Sequence, residues 1–170
     1  MALKTTSDII QVGFSITESA ANTFTQTQVD LQLNPLDQEV ALIYAVDLDP
    51  TAPDCVAGTN TSTFMSLSST SLAGIGNLST SSVLANALLD IRQDPGSVTG
   101  VPFMRSSLDT PPASVPYIGI ISTSNFFVQL QGSNNLAAKF GTGRVWMARA
   151  KADAATYAAL VQSEVLTARS

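Results

Sequence analysis

Apolar and polar positions alternate in short runs along most of the chain, the period of a strand with one face buried. Between Asp8 and Thr17, Ile10, Val12, Phe14 and Ile16 alternate with Gln11, Gly13, Ser15 and Thr17. Alternation resumes over Thr23–Leu33, where Val29, Leu31 and Leu33 oppose Gln28, Asp30 and Gln32. Phe24 falls on the polar parity, which predicts a bulge or register change before Val29. Glu39–Asp49 is different, because both parities are apolar from Val40 to Val46. That is the mark of an interior strand covered on each side. It ends in LDPTAPDC, where prolines and aspartates take the chain out of any sheet. Further strands are expected over Thr63–Leu72, Val98–Arg105 and Arg144–Lys151. Tyr117–Thr123 and Phe126–Gln131 read as a hairpin joined near Ser124 and Asn125.

Two segments carry helical spacing. Within Leu78–Gln93, Val83, Leu84, Ala87, Leu88 and Ile91 recur on one helical face, with Ser81 or Ser82 as N-cap and Asp94-Pro95-Gly96 as the stop. At the C-terminal end Asp153 can cap a helix over Ala154–Leu166, with Tyr157, Leu160, Val161 and Val165 as its apolar stripe. The first seven residues are mostly polar and read as a short N-terminal arm. The sum is about eight strands with a mid-chain helix and a C-terminal helix, all in one domain spanning residues 1–170. The pattern favours an all-β, two-sheet sandwich with the eight-stranded jelly roll as its natural form. An immunoglobulin-like sandwich or a small barrel fits the spacing as well.

Composition alters this picture in one respect. Charged residues make up only 12% of the chain, about half the usual share, and Ser and Thr take their place. Such a surface suits coverage by a partner, since interface centres are depleted in charge; it equally suits a weakly charged monomer. The net charge of −5 argues against nucleic-acid binding through bulk charge. All acidic residues except Asp153 and Glu164 precede residue 110, whereas Lys139, Arg144, Arg149, Lys151 and Arg169 follow it. Asp47 and Asp49 of one copy meeting Arg144, Arg149 and Lys151 of the next would make a head-to-tail contact between subunits. The other reading leaves both ends solvated.

Candidate chemistry is sparse. Histidine is absent and Cys55 is the single cysteine, which removes every Ser-His and Cys-His arrangement and any disulfide within the chain. No enzyme activity is expected. Asp47, Asp49 and Asp54 offer oxygen ligands to calcium where the central strand ends, with Asp30, Asp37 or Glu39 nearby. The spacing is not an EF-hand loop, and aspartates beside prolines are ordinary turn residues. No other cofactor is expected. Asp90 and Asp94 form no evident acid–base pair. Gly74-Ile-Gly76 and Gly141-Thr-Gly143 read as turns. Trp146 lies among Arg144, Arg149 and Lys151, and core packing is expected for it rather than a nucleic-acid platform. No segment has the length of a membrane span. The N-terminus has no signal-like pattern, so synthesis in the cytoplasm is expected.

From Asp8 to Lys151 the strand-and-loop pattern, rich in Ser and Thr and poor in charge, resembles the single jelly-roll capsid proteins of small viruses. The likeness lies in pattern and composition, and it carries over no functional residue. It implies a structural protein in the virion that assembles with many copies of itself. Coat proteins that package nucleic acid directly often carry a long basic arm, and here Met1–Ser7 holds only Lys4. The resemblance therefore points to a shell over another layer, or beside a second coat protein, rather than to direct genome binding. The alternative is a carbohydrate-binding or adhesin-type sandwich. That function calls for exposed aromatic rings, for which Tyr44, Tyr117, Tyr157 and Trp146 are available.

Overall fold

In the computed structural model, residues 3–93, 96, 103–108 and 115–168 are described, the side chains of 103–108 excepted. Ten strands run through them: β1 (Leu3–Thr5), β2 (Ile10–Thr17), β3 (Thr25–Asp30), β4 (Glu39–Pro50), β5 (Thr61–Ser68), β6 (Val83–Arg92), β7 (Phe103–Leu108), β8 (Gly119–Ile121), β9 (Asn125–Ser133) and β10 (Phe140–Ala152). A helix, α1 (Ala154–Thr167), follows. In the first sheet β10 lies between β4 and a shared edge made by β2 and β1, and β8 flanks β4. The second sheet has the order β3-β9-β5-β6-β7. Every pairing is antiparallel.

The pairing is nested. β2 bonds β10, β3 bonds β9, β4 bonds β8 and β5 bonds β6, so strands early in the chain meet strands late in it. An antiparallel ribbon folded double and wrapped onto two sheets gives this order, which is the jelly roll. The expected two-sheet, all-β fold is therefore present.

The central strand resolves a conflict in its own sequence. Val40, Leu42 and Tyr44 share a parity with Val46 and Leu48, yet these two groups cover different faces. Trp146 pairs with Ala45 and Met147 with Ile43, leaving Tyr44 as an extra residue in a bulge. Parity switches there. Ala41, Ile43, Val46 and Leu48 all reach the core between the sheets, while Val40, Leu42 and Tyr44 join an apolar cluster on the outer face. Phe126 closes the core from the opposite sheet, its ring 5.6 Å from that of Phe14 and inclined at 73°. Gly141 and Gly143 are not turn residues. They lie within β10, where a Cβ on Gly143 would stand 2.7 Å from the Asp47 carbonyl oxygen and 2.5 Å from the Phe14 ring.

Several expectations need correction. The stretch read as a helix over Leu78–Gln93 is strand β6 from Val83. Its apolar residues lie on both faces of a sheet, and pairing with β5 outweighs helical spacing. Residues 69–82 instead form a loop without helix. The expected strand Val98–Arg105 falls partly outside the described residues; from Phe103 it is β7, an added partner of β6. Tyr117–Thr123 and Phe126–Gln131 are not a hairpin, since β8 pairs with β4 and β9 pairs with β3 and β5. The N-terminal residues are not a free arm, because β1 pairs with Ala150–Ala152. No bulge follows Phe24; β3 begins at Thr25 and keeps unbroken register with β9. The C-terminal helix is present, with the Thr156 N–H donating to Asp153 at 2.8 Å. Tyr157 and Leu160 pack on the outer cluster, but Val165 stands 51% exposed. The Asp94-Pro95 stop and most of the proline-bearing loop before Val115 lie outside the described residues.

Candidate functional site

Nested pairing sends alternate connections to the same end of the sandwich. There the β2–β3 loop (residues 18–24), the β4–β5 loop (51–60) and the β9–β10 loop (134–139) are tied together by polar side chains. The Lys139 ammonium donates to Asp54 at 2.6 Å. The other Asp54 carboxylate oxygen accepts the Leu136 N–H at 2.9 Å and the Ala137 N–H at 3.3 Å. Asn22 and Asn135 exchange two hydrogen bonds, of 2.8 and 2.7 Å, and Asn135 also accepts from the Asp54 N–H at 2.9 Å. Glu18, only 4% exposed, accepts the Gly132 N–H at 2.6 Å on one oxygen and the Lys139 N–H at 2.7 Å on the other. Asn22 and Asn134 take the left-handed conformation, at φ 60° and 56°, which asparagine tolerates better than most residues.

The Asp54 carboxyl is held below the usual aspartate range, first by the Lys139 hydrogen bond and then by the Leu136 N–H. A carboxylate whose pKa is depressed by folding stabilises the fold above its unfolded pKa, and that contribution is lost as pH falls through the folded value. Acid below the usual aspartate range should therefore loosen residues 134–139. Hydrogen exchange at Leu136 and Ala137, corrected for intrinsic rates, should accelerate there in the wild type but show no such step in Asp54→Asn. A pH-independent protection in the wild type would contradict this.

The expected calcium ligands are not brought together. Asp54 is bonded to Lys139 in the loop, while Asp47 and Asp49 are exposed on β4. Among the described residues no group of three or more carboxylate or thiol side chains converges on a point where a metal could sit. The charge division along the sequence becomes a neighbour relation within one copy. Arg144 is opposite Asp47 and Lys151 is opposite Glu39 in the β4–β10 register. The cations themselves separate, because Arg144 and Trp146 share one parity of β10 and Arg149 and Lys151 the other. Trp146 is not a core residue; Val145 and Met147 hold the inward positions, and the half-buried indole lies under the Arg144 guanidinium at 5.8 Å. Cys55 is free and exposed.

At the opposite end, α1 lies on the outer face of the first sheet. Glu164 accepts the Ser122 and Thr123 N–H groups at 3.0 Å each, fixing the helix to the β8–β9 connection. Large apolar side chains stand in solvent at both ends, Leu136 (77%) and Phe140 (54%) at one and Leu36 (91%) at the other, with Leu166 (60%) on the helix. Sequence reasoning missed Glu18, Asn22 and Asn135. They sit in turns, where no periodicity marks them, and their partners are 73 or more residues away. No known family model matches the chain, and no curated protein matches it.

Proposed function

We propose that the protein is a structural shell subunit, a virus capsid protein that assembles with copies of itself in the virion, alone or with a second coat protein. The nested jelly-roll pairing carries this reading, since the architecture recurs in capsid and lectin domains. The site chemistry inclines it toward the shell. The polar side chains at the loop end bond one another, and they stiffen three loops into one surface. Leu136 and Phe140 stand exposed beside that surface, on a chain with few charges to keep copies apart.

Light scattering after size exclusion, together with negative-stain microscopy, tests the proposal over a range of salt and protein concentration. Closed particles or rings are expected. Leu136→Asp should abolish them while shifting unfolding by no more than about 0.5 kcal/mol, as for an exposed position. A strict monomer under all conditions rejects the reading. A glycan-binding module is the second reading, favoured by the half-buried Trp146 on an outer sheet face. It predicts glycan-array signal that disappears in Trp146→Ala.

A further inference from the structure

The outer face of the first sheet holds a cavity of about 450 Å³, within the range of small-molecule sites. Leu42 and Tyr44 of β4 line it with Tyr117 ahead of β8, Ile120 within β8, Leu3 of β1 and Leu160 of α1. It exists because β8 covers only three residues of β4, at Ala41–Ile43, and because α1 reaches into the space only with Thr156 and Leu160. The walls are fixed at their ends. Asp153 caps the start of α1, Glu164 ties its far half to Ser122 and Thr123, and β1 is paired to β10. A cavity whose walls are held before a ligand arrives spares the ligand the cost of ordering them.

The chemistry of the lining selects the occupant. Among the described residues no charged side chain lines the space, so an ionised headgroup would lose its hydration without a counter-charge. Tyr44 and Tyr117 supply hydroxyls, and neither donates to a protein acceptor among the described residues. Largely apolar walls with the two tyrosine hydroxyls, beside those of Thr5 and Thr156, match a single aliphatic chain ending in an uncharged hydrogen-bonding group. We infer that this cavity binds one molecule of a neutral single-chain amphiphile, its chain against Leu3, Leu42, Ile120 and Leu160 and its polar end at the tyrosines. The inference is independent of whether the protein builds a shell.

The test titrates purified full-length protein with the neutral dye N-phenyl-1-naphthylamine and displaces it with 1-dodecanol. One dye per chain is expected, displaced by the alcohol more effectively than by dodecylammonium or dodecanoate. Leu160→Trp, which fills the space, should weaken dye binding by about tenfold or more. Tyr117→Phe keeps the packing and removes one hydroxyl. It should weaken dodecanol by about two- to tenfold and leave the dye, which does not need that hydroxyl, unchanged. Absence of saturable binding, or binding that both variants leave intact, overturns the inference. So does dye binding that vanishes as the ligand-free protein associates, because a second copy would then be the occupant.

Discussion

Phe126→Ala is expected to destabilise the protein by about 3–5 kcal/mol, the range for truncating a buried aromatic. Phe126 is fully buried on β9, the strand that joins β3 to β5 in the second sheet. Its ring meets the edge of Phe14 on β2, which belongs to the other sheet. The pair therefore crosses the interior of the sandwich, and removing one ring opens a cavity that neither sheet can close without disturbing its own register. Against a total of about 5–15 kcal/mol for an ordinary domain, this single change consumes a large share. Urea unfolding read by the lone tryptophan measures it. A double-mutant cycle with Phe14→Ala should leave a coupling of about 0.5–1.5 kcal/mol. A loss below about 1 kcal/mol for Phe126→Ala would mean that the two sheets are not packed through this contact.

The same residues show what a sequence reveals and what it conceals. Ile10–Ile16 and Phe126–Leu130 were legible because one face of each strand is apolar and turned to the core and the other is mostly polar, so period-2 alternation survives in the sequence. The fold class followed from repeated short runs of this kind. β6 was not legible, because Leu84, Ala85 and Ala87 are all drawn into or against the core, and Val83, Leu84, Ala87, Leu88 and Ile91 together imitate helical spacing. Only pairing with β5 decides between the two, and pairing is non-local. The bulge at Tyr44 was hidden for the same reason, since its presence depends on the facing strand.

The covered outer face of the second sheet illustrates a different limit. Gln129 is fully buried, yet it belongs to no apolar pattern. It accepts from Ser66 at 2.8 Å and donates to Gln26 at 3.0 Å and Ser68 at 2.7 Å, making a polar row across three strands. The Gly76 and Leu72 N–H groups of the β5–β6 loop donate into that row. In the sequence these residues look like solvent-facing positions. Polar alternation was read correctly as a face, but the loop that covers that face could not be inferred from the strands themselves. The charge pattern conceals a further contact, since Asp54 and Lys139, from the acidic and basic parts of the sequence, satisfy each other inside one copy.

Glu18→Ala is the substitution expected to do most damage at the loop end, at about 2–4 kcal/mol. The carboxylate is the acceptor for two buried backbone N–H groups, at Gly132 and Lys139. Each donor left without a partner costs about 1–3 kcal/mol. The space at Gly132 is matched to this contact, since a Cβ there would fall 3.2 Å from one Glu18 oxygen and 2.5 Å from the Asn135 amide nitrogen. Glu18→Gln keeps the shape and one acceptor but turns a donor toward the second N–H, so an intermediate loss is expected. Because Glu18, Asn135, Asp54 and Lys139 share one network, Glu18→Ala and Asp54→Ala should combine with a non-additive term of about 0.5–3 kcal/mol. Chemical denaturation gives the totals, and hydrogen exchange at Gly132 and Lys139 locates them. If Glu18→Ala unfolds within about 0.5 kcal/mol of the wild type, the range of an ordinary surface change, the loops are held by something other than this carboxylate. If it loses the stability and also the capacity to form particles, the stiffened loop end is a surface on which copies meet.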